Sequence, residues 1–320
     1  MTMTDCASCA DERAAGAAFC EVCGRSLAPE PACPHCGTPG GVGTDGYCEN
    51  CGMLAGRERD HLETDCGEVA AAVTDRGLRH HRNEDAMWLA TRGRDVDVVI
   101  SDGVSSSFDP DVASLTAVSS SGEALGEGVD LATAIGAAQV SVAKLAAEGD
   151  PRRQASNPAC TIVAATVRGD SVTVGWIGDS RAYWVPEEGV AEQLTEDDSW
   201  ATHVISLGAD PEQAMRDPKA HAITAWLGAD AGSIAPRTAE FVVGDPGHLV
   251  LCSDGLWNYL TDAAAFAAAV REGLREQGTL ISAARWLADY ANTAGGADNI
   301  TVALVPITPL GITPLGGEQE

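Results

Sequence analysis

The sequence predicts an α+β protein with mostly antiparallel sheets and helices packed outside them, preceded by a small cysteine-rich module. Three observations carry this expectation. Segments come in the order strands, two helices, many strands, two helices, one strand, so the strict βαβ alternation of a parallel sheet is absent. Eight of the 11 cysteines fall within the first 51 residues. Apolar residues make up 45% of the 320, enough to bury a sizeable core.

The N-terminal cysteines form four Cys-x-x-Cys pairs: Cys6/Cys9, Cys20/Cys23, Cys33/Cys36 and Cys48/Cys51. Two residues between cysteines allow a tight knuckle that turns both thiolates onto one ion, and two knuckles complete a tetrahedral sulfur site. Taken two at a time the pairs make a short internal repeat, with Phe19 and Tyr47, and Gly24 and Gly52, in matching places. A unit this short has almost no core, so a metal would supply its folding energy. Redox-active pairs are the other reading, but redox chemistry has no need of four in tandem. The block over 1–56 resembles a double zinc ribbon, which implies two structural Zn²⁺ ions. Four-sulfur sites are closed, so catalysis there is not expected. Residues 57–66 are charged and aperiodic and read as a linker.

Beyond the linker, a domain over 67–308 is dense with periodic segments. Strand candidates with alternation or β-branched content are 68–74, 86–91, 96–101, 160–167, 171–177, 181–185, 238–243, 248–253 and 300–306. Residues 111–126 and 130–148 are Ala-rich, with Val112, Leu115 and Val118, then Leu131, Ile135, Val142 and Leu145 at helical intervals. Another helical run starts at Asp262 after Thr261, a plausible N-cap, and 279–294 repeats the pattern. The segment 197–237 lacks periodicity, and 309–320 reads as a flexible tail. Cys160 and Cys252 sit in apolar runs and read as core residues; Cys66 stands alone near the domain junction.

The net charge of −27 repels other polyanions, and residues 1–60 hold more acids than bases, so neither nucleic acid nor an anionic membrane is an expected partner. No apolar run is long enough to span a bilayer, and MTMTDCASC lacks the pattern of a signal peptide, so the expected location is cytoplasmic.

Acidic residues stand at the edges of five apolar strands. Asp102-Gly103 follows VVIS, Asp254-Gly255 follows LVLCS, Gly178-Asp179 follows VTVGWI, Asp298 precedes NITVALV, and Glu84-Asp85 precedes AMWLA. A lone Asp-Gly is an ordinary turn. Several strand ends can meet at a sheet rim, however, and clustered carboxylates repel unless a cation sits among them. Oxygen-only donors favour hard ions such as Mg²⁺ or Mn²⁺.

The series RNEDA, SDGV, GDSRAYW, SDGLW and GGADNIT, in this order, resembles the motif set of the PPM-type (type 2C) metal-dependent serine/threonine phosphatases. PACTIVAA, LTEDDSW and ITAWLGAD add to the match. The resemblance implies two packed antiparallel sheets flanked by helices, an α-β-β-α sandwich. It implies that Asp102 bridges two Mn²⁺ or Mg²⁺ ions, that the Gly103 carbonyl and Glu84 hold one, and that Asp254 and Asp298 hold the other. Asp179 resembles a residue that binds a third ion in bacterial members, and Arg181 is expected to orient its loop. The implied activity is hydrolysis of phosphoserine and phosphothreonine in proteins by a metal-activated water, opposing a serine/threonine kinase.

Three positions depart from the family pattern. After Asp-Gly the family usually has a Gly-rich segment, often with a histidine that acts as general acid; here Val104, Ser105, Ser106 and Ser107 follow. Serine is a poor proton donor at neutral pH, and serines capping a helix near Asp111 are an equal expectation. The phosphate-binding arginine of many members is His80 here, with Arg79, His81 and Arg82 beside it, so the two-pronged grip survives only if the register shifts. A frequent histidine is replaced by Asp198. These departures keep open an alternative, a pseudophosphatase or phosphoprotein-binding module with little turnover.

Overall fold

The computed structural model describes residues 6, 8, 9, 12, 20, 22, 32, 33, 36–43, 46–53, 55–232 and 234–309. The chain divides into two compact units, Met1–Arg57 and Glu58–Glu320.

In the first unit, Cys33, Cys36, Cys48 and Cys51 bring their sulfurs within 4.8 Å of one another. Each knuckle is closed by its own backbone: Gly37 N–H donates to Cys33 O at 2.8 Å and Gly52 N–H to Cys48 O at 2.7 Å. Both glycines take positive φ, 72° and 70°, which the reversal after a Cys-x-x-Cys requires. Cys6, Cys9 and Cys20 form a second group within the same 4.8 Å limit. Cys23, the expected fourth ligand, lies outside the described residues, as do Phe19 and Gly24.

The second unit contains two large antiparallel sheets. One is built of β1 (His61–Asp65), β2 (Ala71–Asp75), β8 (Arg181–Pro186), β9 (Glu192–Gln193), β12 (Gly247–Cys252) and β13 (Ile300–Ile307), in the order β1-β2-β13-β12-β8-β9. The other holds β3 (Ala86–Arg92), β4 (Asp95–Ser101), β6 (Ile162–Arg168), β7 (Ser171–Ile177) and β11 (Arg237–Val242), in the order β11-β7-β6-β4-β3. A short pair joins β5 (Ala159–Cys160) to β10 (Leu227–Gly228). The helices are α1 (Pro110–Gly126), α2 (Leu131–Lys144), α3 (Arg152–Ala155), α4 (Trp200–Ser206), α5 (Pro211–Arg216), α6 (Asp254–Trp257), α7 (Ala263–Gln277) and α8 (Leu280–Ala294).

Three apolar layers result. Leu249, Leu251, Ala303 and Val305 meet Val98, Ile100, Val163 and Val174 between the sheets. Their neighbours Val250, Val302 and Leu304 face Phe266, Val270 and Leu287 of α7 and α8. Val99, Ile162, Ala164 and Ile177 face Ala117, Ile135 and Val142 of α1 and α2. The central strands are thus buried on both faces, which is why they read as nearly continuous apolar runs. Gly175 permits one close approach: a Cβ there would stand 2.8 Å from Ile135 Cδ1.

Two expectations are corrected. Residues 57–66 are not a linker throughout: Glu58–Asp60 form a 3-10 turn and His61–Asp65 pair antiparallel with β2. This edge strand is mostly exposed and polar, so no apolar alternation marks it. The helix after Thr261 is capped by Asp262, whose carboxylate accepts from Ala264 N–H at 2.8 Å. The aperiodic 197–237 holds α4, α5 and β10. Of the expected tail, residues 310–320 lie outside the described residues.

Candidate metal centre

The pairing registers place the acidic strand ends on one edge of the sandwich. In one sheet, Ala86 at the start of β3 pairs with Ser101 at the end of β4, and Ile162 pairs with Ile177 at the end of β7. In the other, Cys252 at the end of β12 pairs with Val302, beside the start of β13. Glu84, Asp85, Asp102 and Asp179 therefore come from one sheet, and Asp254 and Asp298 from the other.

Hydrogen bonds join the two rims. Ser253 Oγ–H and Thr301 Oγ1–H both donate to Asp85 Oδ2 at 2.7 Å. Asn299 Oδ1 accepts from Glu84 N–H at 2.7 Å, while its amide donates to Arg76 O at 2.7 Å and Arg82 O at 3.0 Å. Trp257 Nε1–H donates to Asp179 O at 3.0 Å. Arg59 donates to Asp85 O and to Ser114 Oγ, both at 3.2 Å, and Ser114 Oγ–H donates to Glu84 O at 2.5 Å. The Glu84–Asp85 turn is held from three sides.

Gly103 sits where no side chain fits: a Cβ would stand 2.5 Å from Pro110 O and 2.8 Å from Glu84 O. Its N–H donates to Glu84 O at 3.2 Å. The serines do not cap the following helix, which starts at Pro110 behind Asp109 with no side-chain cap. Instead Ser105 Oγ–H donates to Glu84 Oε2 at 2.6 Å, and Ser107 Oγ accepts from Ala159 N–H at 3.3 Å.

Electrostatics follow from this crowding. Burial pushes the Asp85 carboxyl up to about 7, against the hydrogen bonds from Thr301 and Ser253. Burial and the Asp254 charge push Asp179 up to about 8, and burial and Asp298 push Asp254 up to about 6. Asp102 is raised well above the carboxylate range by burial and by Asp85, Asp254, Asp298 and Asp179 together. Asp85 Oδ1 and Asp254 Oδ1 are buried without a hydrogen-bond partner. Orphaned anionic oxygens among like charges are what a divalent cation would satisfy, and the all-oxygen donor set suits Mn²⁺ or Mg²⁺. The carboxylates do not close on one point; among the described residues only the cysteine groups bring three ligand atoms within 4.8 Å. Hard divalent ions retain several waters, so an open cluster fits them.

The basic side chains beside the cluster are mostly engaged. His80 Nε2 lies 3.1 Å from Asp298 Oδ1, and Arg82 Nη1 lies 3.1 Å from Asp111 Oδ1. Arg79 is exposed at the rim of the same loop. Arg181 lies with its guanidinium carbon 3.5 Å from the Trp257 ring centroid and donates to both oxygens of Asp197, at 2.9 and 2.7 Å. Asp198 Oδ2 accepts from Gly178 N–H at 2.9 Å and Oδ1 from Arg237 at 2.5 Å, fastening 196–198 to the Asp179 turn. Cys160 and Cys252 are fully buried, and burial pushes the Cys160 thiol up to about 12 and the Cys252 thiol higher. Cys66 packs at the edge of the inter-sheet core.

The structure sets Asp102, Asp179, Asp254 and Asp298, grouped in the sequence by the family resemblance, close enough to act on one another's charge, with Glu84 next to Asp85 of the same cluster. Sequence reasoning gave no role to Asp85, Asn299, Arg59 or the Ser253–Thr301 pair. The signal for Asp85 and Asn299 stood within RNEDA and GGADNIT; nothing marked Arg59.

Residues 77–290 match the family model described as Protein phosphatase 2C. The serine/threonine phosphatase stp of Listeria innocua is 31% identical over 241 residues, covering 72% of this chain and 93% of that protein. The serine/threonine protein phosphatase PstP of Mycobacterium tuberculosis is 27% identical over 241 residues, covering 74% of this chain and 44% of that protein. Among solved structures, serine/threonine phosphatase Stp1 from Staphylococcus aureus superposes with a TM-score of 0.64 at 26% identity, covering 79% of this chain and 98% of that one. The catalytic domain of PstP in complex with 2 manganese ions shares the fold with a TM-score of 0.58 at 23% identity, covering 74% of this chain and 97% of that one.

Proposed function

The chain belongs to the protein phosphatase 2C family, and from that premise we propose that its strand-end acids form the centre of a metal-dependent protein serine/threonine phosphatase. The observation that carries this is the convergence of Asp85, Asp102, Asp179, Asp254 and Asp298 into one mutually repelling group. Asp102, the Gly103 carbonyl, Glu84, Asp254 and Asp298 would hold two Mn²⁺ or Mg²⁺ ions, with Asp179 available to a third. When bound, such ions activate water at neutral pH and neutralise phosphoryl oxygens.

The protein's own groups then have separate tasks. Asn299 fixes the backbone of Glu84, and Ser105 fixes its carboxylate. Asp85 joins the two rims through Ser253 and Thr301. Arg79, His80 and Arg82 form the basic side of the cleft; Arg79 is free to reach a phosphate, since His80 faces Asp298 and Arg82 faces Asp111. In the reaction a water oxygen bonds to phosphorus as the bond to the serine or threonine oxygen breaks, and a proton is delivered to that departing oxygen. Direct attack by water needs no phosphoenzyme, so the buried Cys160 and Cys252 remain core residues. The relatives described above are phosphatases, which favours turnover over a silent phosphoprotein-binding module.

The substrates are phosphorylated proteins, and the enzyme opposes a serine/threonine kinase. The first unit binds two structural Zn²⁺, one on Cys33, Cys36, Cys48 and Cys51, the other on Cys6, Cys9 and Cys20 with Cys23. Thiolate sites of this kind persist in a reducing compartment, the cytoplasm. No helix among the described residues is long and apolar enough to cross a membrane. Phosphate release from a phosphothreonine peptide with Mn²⁺ tests the reading: Asp254→Ala abolishes it, and release that ignores both chelator and Asp254→Ala contradicts it.

A further inference from the structure

A cavity of about 400 Å³ adjoins the loop that follows the Asp102–Gly103 turn, lined by Val104, Ser106, Ser107, Asn157, Trp226 and Asp230 among others. One wall is the loop that follows Gly103, in which Ser105 touches Glu84. That wall is pinned: Val104 N–H donates to Ala159 O at 2.9 Å, and Ala159 N–H to Ser107 Oγ at 3.3 Å. The opposite wall is the β10 turn, pinned by the pairing of Leu227 with Cys160. A group in this cavity would therefore sit next to whatever the metal centre holds. For a phosphoprotein, that is a residue flanking the phosphorylated one.

Among the described residues, Asp230 is the one ionisable side chain lining the cavity. Trp226 Nε1–H donates to Asp230 Oδ1 at 3.1 Å, which fixes carboxylate and indole beside each other. The N–H points along the ring plane, so the carboxylate sits at the indole edge, where it can pair with guanidinium or ammonium while the ring face attracts the same cation. The amide of Asn157 and the hydroxyl of Ser106 add acceptors at the same surface. The chain's net charge of −27 disfavours an anionic occupant. A cavity of this size is on the scale of small-ligand sites and admits one long side chain.

We propose that this cavity selects a substrate carrying arginine or lysine close to the phosphorylated serine or threonine, with Asp230 as the specificity-determining residue. The proposal rests on the phosphatase reading for its substrate, and the experiment separates the two. Phosphothreonine peptides with Arg, Ala or Glu at each of the three positions on either side are assayed with Mn²⁺ on the full chain, alongside p-nitrophenyl phosphate, which has no flanking residues. The same peptides are titrated by fluorescence anisotropy in chelator, which reads the cavity without turnover.

The expected result is that Arg at one or two positions exceeds Ala and Glu by about fivefold in kcat/KM and in affinity. Asp230→Asn abolishes the difference, Asp230→Lys inverts it toward Glu, and the p-nitrophenyl phosphate rate stays the same in all three proteins. Equal use of Arg, Ala and Glu by the wild type, or a preference unmoved by both substitutions, overturns the proposal. An arginine preference in anisotropy without Mn²⁺-dependent release from any substrate upholds the cavity assignment and overturns the phosphatase reading.

Discussion

Ser253 Oγ–H donates to Asp85 Oδ2 at 2.7 Å, although the two residues belong to opposite sheets and lie 168 positions apart. The same serine oxygen accepts from Thr301 N–H at 2.9 Å. Asp85 is 1% exposed, and its other oxygen has no partner. A buried carboxylate held in this way contributes to the site at the expense of the fold.

Asp85→Asn keeps the shape and removes one repelling charge. Metal-free protein is expected to gain about 1–2 kcal/mol in urea unfolding while Mn²⁺ affinity falls. Ser253→Ala removes one of the two hydrogen bonds to Asp85 Oδ2 and leaves Thr301 N–H without its acceptor, and a loss of about 1–3 kcal/mol is expected by the same measurement.

The carboxyls of Asp254, Asp85 and Asp179 are raised to about 6, 7 and 8. The folded state then binds more protons than the unfolded one between their ordinary pKa and these values. Stability of the metal-free protein is therefore expected to fall as pH rises from about 4 to about 8. Thermal melts across that range check the sign, and saturating Mn²⁺ is expected to flatten the decline.

Ser105→Ala removes the 2.6 Å hydrogen bond to Glu84 Oε2. Groups that orient metal ligands are worth about tenfold in metal affinity, so titration calorimetry should show a loss of that order, with melting temperature nearly unchanged because Ser105 is exposed.

Where the family often places a histidine acid, this chain has serines, and Ser105 is committed to Glu84. A leaving group that needs no proton should gain most. Rates on aryl phosphates are expected to exceed those on alkyl phosphates of similar size by about a hundredfold or more.

The 320-residue chain should carry about two tightly bound Zn²⁺ by elemental analysis, and Cys33→Ser about one. Hydrolysis of p-nitrophenyl phosphate with Mn²⁺ should be the same for both.

The strand-end positions of Asp102 and Asp254 were legible as apolar runs closing on Asp-Gly, but that pattern alone reads as a turn, and only the ordered motif set grouped these acids into a candidate site. Asp85 stood beside Glu84 in the same motif, yet its importance comes from Ser253 and Thr301, brought near only when the sheets pack. The strand His61–Asp65 was illegible for a different reason. An exposed edge strand gains its order from pairing with Ala71–Asp75 and needs no apolar face. The serines read equally as caps, but the helix starts at Pro110 behind Asp109, and Ser105 turns to Glu84.

Mn²⁺ binding followed by electron paramagnetic resonance, with phosphopeptide turnover read in the same samples for wild type and Asp102→Asn, tests the central claim most directly. The account predicts that wild-type turnover rises with occupancy of at least two sites and that Asp102→Asn loses tight binding and turnover together. Full turnover in Asp102→Asn, or turnover that persists when bound Mn²⁺ has been removed, would contradict it.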